Sequence, residues 1–71
     1  MPILVFKTNL RSKKKVNALA PHLESIQGIA SWNVDLMDAD RILRVDATAV
    51  SARKVEESLQ ELGYFCKELE D

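Results

Sequence analysis

The sequence predicts an α+β sandwich, a four-stranded antiparallel sheet with two helices on one face, in the order βαββαβ. Three observations carry this. Two stretches place apolar residues at helical spacing: Val16, Leu19, Leu23 and Ile26, then Ala52, Val55, Leu59 and Leu62, each set stepping by 3, 4 and 3. Each stretch lies between two short β-rich segments, 3–6 and 29–36 around the first, 41–47 and 64–69 around the second. Two strand–helix–strand units with right-handed crossovers close into one such sheet. Seventy-one residues allow a single domain, 1–71, with one modest core.

Residues 3–6, Ile-Leu-Val-Phe, read as a central strand covered on both faces, with Ile3 and Val5 on one side and Leu4 and Phe6 on the other. From Ser12 the period becomes helical. Ser12 is placed to cap this first helix and Gly28 to end it. Pro21 lies inside; it removes one backbone donor and crowds the carbonyl of Asn17, which predicts a kink or a break. Residues 29–36 alternate Trp32, Val34 and Leu36 against Ser31, Asn33 and Asp35, a second strand. Met37-Asp38-Ala39-Asp40 is a turn, and 41–47 form a third strand with Leu43 and Val45 against Arg44 and Asp46. Ser51 caps the second helix and Gly63 ends it. Residues 64–69 are the last strand, with Tyr64 and Cys66 opposing Phe65 and Leu69, before an acidic Glu70-Asp71 end. This order is the ferredoxin-like arrangement.

The apolar fraction of 46% and charged fraction of 30% are ordinary for a soluble globular chain. A net charge of −1 gives no global attraction to nucleic acid or to an anionic membrane, and no apolar run has transmembrane length. The single cysteine, Cys66, forms no internal disulfide and reads as a buried small hydrophobe on the helix side of its strand. The N-terminal order, apolar residues before a basic cluster, is the reverse of a signal peptide, so a cytoplasmic location is expected.

The cluster itself is Arg11, Lys13, Lys14 and Lys15 around Ser12. It surrounds a helix start, where unpaired N–H groups and the macrodipole already give partial positive charge. Cations there cost a few tenths of a kcal/mol each. The same placement describes an anion site for a phosphate, a carboxylate or an acidic partner, or else a solvated charge run. The turn with Asp38 and Asp40 falls at the same end of this topology and offers internal neutralisation. No aromatics interleave with the lysines, and 3–6 and 41–47 lack the stacking aromatics of single-stranded RNA readers, which argues against nucleic acid.

The frame Val16-x-x-Leu19, Leu23, Ile26-Gln27-Gly28-Ile29, Trp32-x-Val34-Asp35-Leu36, Leu59 and Gly63-Tyr64 resembles the heavy-metal-associated domain of copper chaperones and metal-transporting ATPases. The resemblance covers nearly the whole chain. It implies this fold and, for the family, a metal motif Gly-Met-x-Cys-x-x-Cys. Counting back from Val16 and Leu19, Asn9 falls at the glycine, Leu10 at the methionine, and Ser12 and Lys15 at the two cysteines. The apolar anchor is kept and both ligands are replaced. The remaining soft donors, Met1, His22, Met37 and Cys66, lack ligand spacing. No metal site, no cofactor and no catalytic residue are therefore expected. Acylphosphatases share the general fold and use an arginine near an anion loop with a strand asparagine. Arg11 and Asn33 are of those types, but the glycine-rich loop is missing.

Two helices leave the second sheet face uncovered, and one apolar row on each of the first and last strands turns toward it. With Cys66 under the helices, the outward residues of the last strand are Phe65 and Leu69, the expected contact of a weak homodimer across that face. Stems of Lys7 and Lys67 are the competing cover. The expected function is a non-enzymatic interaction module with a protein partner or a small anion. The alternatives are a metal-trafficking domain with non-cysteine ligands and an acylphosphatase-like hydrolase.

Overall fold

Alternation along the strands decides which side of the sheet is dry. In the computed structural model, which describes residues 3–69, the elements are β1 (Ile3–Thr8), α1 (Lys13–Glu24), β2 (Ile29–Asp35), β3 (Ile42–Ala47), α2 (Ala52–Glu61) and β4 (Cys66–Glu68). The sheet order is β2-β3-β1-β4 with every neighbouring pair antiparallel, the predicted ferredoxin-like arrangement. Phe6 lies opposite Leu43 and Leu4 opposite Val45. Phe6, Leu43, Val45 and Cys66 are buried with Leu19 and Leu23 of α1 and Val55 and Leu59 of α2. The intervening residues, Ile3 opposite Asp46 and Val5 opposite Arg44, take the other face.

Four expectations of the local structure need correction. Pro21 does not break α1, which runs from Lys13 to Glu24 through it. The proline is exposed and near the helix end, so its missing N–H leaves only the exposed Asn17 turn unpaired. The ladder resumes with the Ser25 N–H donating to the Pro21 carbonyl at 3.1 Å. The helix therefore ends at Ser25, ahead of Gly28, and Ile26 packs half-buried in the connection. Leu62, counted on the apolar face of α2, is its C-cap and is 40% exposed. β2, β3 and β4 are shorter than expected, leaving out Leu36, Arg41, Tyr64, Phe65 and Leu69, whereas β1 runs past Phe6 to Thr8. The expected Glu70-Asp71 end lies outside the described residues.

The two glycines do different work. Gly63, at φ +89°, follows the α2 cap. Its N–H donates to Gln60 O at 3.0 Å and the Tyr64 N–H to Leu59 O at 3.0 Å, the paired closure of a Schellman motif. Gly28, at φ +96°, lets the 48–50 segment approach. Its carbonyl accepts from the N–H groups of Thr48 and Ala49 at 2.7 and 3.2 Å and from the Thr48 hydroxyl at 2.9 Å. A Cβ at Gly28 falls 2.7 Å from the Ala49 carbonyl carbon and 2.9 Å from the Val50 nitrogen, whereas one at Gly63 meets nothing within 4 Å. Gly28→Ala is therefore expected to destabilise by about 2–4 kcal/mol and Gly63→Ala by about 1 kcal/mol. Urea denaturation of both variants measures the difference, and equal losses contradict the close-approach role.

Candidate functional site

Three loops meet at the end of the domain that carries the lysines, and Thr8 ties two of them. Its buried hydroxyl donates to Arg41 O at 2.6 Å and accepts from the Leu10 N–H at 3.2 Å. Its own N–H donates to Asp40 O at 3.1 Å. The β1–α1 loop and the β2–β3 turn are thus joined. The third loop, between α2 and β4, is held by the Phe65 N–H donating to Asn9 Oδ1 at 3.0 Å. Leu10 fills the space beneath and is fully buried. The apolar anchor predicted at this position is therefore core.

Above that plug the chain turns into α1. Ser12 is extended, with φ −145° and ψ 156°, and its Oγ accepts from the Lys15 N–H at 3.3 Å. The predicted cap is formed. Arg11, Ser12, Lys13, Lys14 and Lys15 are all exposed, and no acidic residue occupies the first turn. The acidic turn does lie at the same end, but its carboxylates are engaged elsewhere. Asp40 pairs with Lys7 at 3.4 Å, and Asp38 Oδ1 accepts from the Asp40 N–H at 2.8 Å. Among the described residues no acid pairs with the lysine run. The positive end of the helix dipole is thus surrounded by uncompensated cations.

The residues at this loop do not suit a soft metal ion. Ser12 offers a neutral hydroxyl already engaged as a cap, and Lys15 offers an ammonium. His22 is exposed on the last turn of α1 and Met37 is 95% exposed in the β2–β3 turn. Among the described residues no group of three or more His, Cys, Asp or Glu converges to hold an ion. Cys66 is buried on the helix side of β4. Arg11 and Asn33 are not brought into one anion loop. Asn33 lies on edge strand β2, opposite Arg44 and separated from β1 by β3.

Of the expected interface residues, Phe65 is 48% and Leu69 40% exposed. Lys67 stands between them, directly opposite Lys7 on β1. The apolar row is therefore split, with Ile3, Val5 and Leu69 at one end of the face and Phe65 near the basic loop. Asp46, opposite Ser31, keeps one carboxylate oxygen out of solvent with no donor among the described residues. A groove of about 740 Å³ runs along α2 from the C-terminal end of α1, with His22, Ser25, Ser51, Lys54 and Glu61 among its lining residues. Ile26, Ala49, Val50 and Leu62 line it as well, and because its residues come from two helices and two connections no single stretch of sequence marks it.

Solved structures share this fold, two copper-protein domains among them. One is the yeast copper transporter domain Ccc2a, determined in apo and Cu(I)-loaded states, with a TM-score of 0.82, 17% identity, and coverage of 97% of this chain and 96% of that one. The other is the apo HMA domain of the copper chaperone for superoxide dismutase, with a TM-score of 0.77 and 20% identity over 96% of this chain. This chain spans 66% of that second chain's length. No family model matches the chain, and no curated protein sequence does.

Burial, and secondarily the nearby Glu56 carboxylate, push the Cys66 thiol up from 9.0 to about 12. The folded chain holds this proton more tightly than the unfolded chain does. The resulting stabilisation is complete below about pH 9 and is lost as the pH rises through about 12. Stability measured by urea midpoints is expected to fall across that window more steeply in the native sequence than in Cys66→Ala. Parallel curves for the two contradict a buried, protonated thiol.

Proposed function

We propose that this chain is a non-enzymatic binding module. It has the fold of metal-handling domains, and its metal loop is replaced by a capped, cationic helix start that receives an anionic partner. The turn from Ser12 to Lys15 carries this reading. At the two positions matched to the cysteines of heavy-metal-associated domains, one side chain caps the helix and the other is an exposed ammonium. A neutral hydroxyl is a poor ligand for Cu(I), and a lysine binds only after losing its proton. The structural neighbour solved with Cu(I) shares the backbone plan; in this reading the chain keeps the plan without the cargo. Exposed N–H groups, the helix dipole and four unneutralised cations suit a phosphate, a carboxylate or an acidic protein surface.

Calorimetric titration of the reduced protein tests the metal half. No stoichiometric Cu(I) or Zn(II) binding tighter than roughly micromolar is expected. Ser12→Cys combined with Lys15→Cys is expected to create a submicromolar Cu(I) site, since the frame around the loop is intact. A submicromolar site in the native sequence that survives Cys66→Ala overturns the reading.

Thermal melts test the anion half. Phosphate is expected to raise the melting temperature more than chloride at matched ionic strength. A variant carrying Lys13→Gln, Lys14→Gln and Lys15→Gln is expected to lose that excess. An undiminished gain in the variant identifies general salt exclusion instead.

A further inference from the structure

The sheet has two edges, and the chain treats them differently. At β4 the Leu69 N–H donates to Val5 O on β1 at 2.8 Å. Because backbone groups of successive residues point to opposite sides of a strand, Cys66 and Glu68 present theirs outward. One group of each is taken by α2: Gln60 Nε2 donates to Cys66 O at 3.1 Å, and Glu56 Oε2 accepts from the Glu68 N–H at 2.7 Å. Side chains of the covering helix thus seal this edge against strand addition.

The other edge, β2, has no such seal. No side-chain or loop hydrogen bond among the described residues reaches the main chain of residues 30–35 beyond the ladder to β3. The strand is seven residues long. Its one irregularity lies at its start, between Ile29 and Ser31, so 31–35 run in unbroken register on β3. It carries no lysine, arginine or proline, the usual edge blockers, and its one charge is Asp35.

We propose that β2 is a self-pairing edge, and that its occupant is β2 of a second copy of this chain, joined antiparallel about a two-fold axis at Asn33. The sequence is its own complement in that register. Trp32 lies opposite Val34 twice, an aromatic against a β-branched residue on the helix side. Asn33 meets Asn33, and Ser31 meets Asp35, on the open side. No like charges oppose one another. The antiparallel arrangement also sends the two cationic loops to opposite ends of the joined sheet. Head-to-tail addition of β2 to β4 is closed off by Glu56 and Gln60, so pairing stops at two copies. This surface is separate from the Ser12–Lys15 loop, and neither metal nor anion titration bears on it.

The test is a charge exchange at the axis. Asn33 is exposed, so Asn33→Lys and Asn33→Glu are compatible with the fold, which circular dichroism checks. Sedimentation velocity up to roughly millimolar concentration is expected to show a native dimer. Each variant alone is expected to be monomeric, through like charges meeting on the axis, and an equimolar mixture of the two to recover the dimer. Trp32, the chain's single tryptophan, is expected to shift its emission to the blue with concentration only where pairing occurs. A native chain that stays monomeric overturns the proposal, as does growth beyond two copies. So does a dimer that persists in both Asn33 variants, and its loss in Leu69→Lys then assigns it to the open sheet face.

Discussion

Two helices of 12 and 10 residues must dry one face of a four-stranded sheet, and the remaining features follow from that limit. Every strand is divided by it. Phe6, Leu43, Val45 and Cys66 face the helices, and the alternate positions face outward with Lys7, Arg44, Asp46 and Lys67 among them. Fully burying a side chain of this size contributes on the order of 1.5–3 kcal/mol. A one-residue slip in β1 or β3 exchanges the two sets and forfeits most of that burial. Register, and with it the position of each loop, is therefore fixed by the core.

At the lysine-bearing end the residues that pack and the residues that meet solvent are different ones. Leu10 and Thr8 belong to the packing, through a buried side chain and a hydroxyl linking two loops. Ser12 and Lys15 do not; both are exposed. The Ser12 cap stabilises the helix start by about 1 kcal/mol. That is comparable to the summed cost of cations near the positive end of the dipole, a few tenths of a kcal/mol each. Substitution of the three lysines therefore disturbs no buried contact, whereas loss of Ser12 costs the cap.

The sequence made legible what periodicity and capping encode. Both helices begin one residue after the serines that were read as their caps, and the alternation of β2 and β3 places Trp32, Val34, Leu43 and Val45 on the helix side. Features that depend on a partner in another element were not legible. Apolar runs overstated β4, since Tyr64 and Phe65 belong to a loop held by Asn9, distant in sequence. Gly28 read as a helix stop, yet its conformation serves the backbone at 48–50. Pro21 read as a breaker, but lies where the lost bond falls on an exposed turn. Phe65 and Leu69 are exposed, and Lys67, whose stem the sequence already offers as cover for that face, stands between them opposite Lys7.

The seal on β4 connects the edge of the sheet to the chemistry of its interior. Glu56, midway along α2, accepts the outward N–H of Glu68, two residues past Cys66. There it adds to burial in keeping the thiol protonated. A thiol must ionise to serve as a strong ligand or nucleophile, and a neighbouring anion opposes that step. Its position does so as well, on the helix side of a strand whose outward carbonyl is already taken by Gln60. Burial chiefly, and secondarily the side chain that closes the strand edge, thus keep the chain's single cysteine protonated. Its ionisation therefore runs against both the packing of the core and a neighbouring carboxylate.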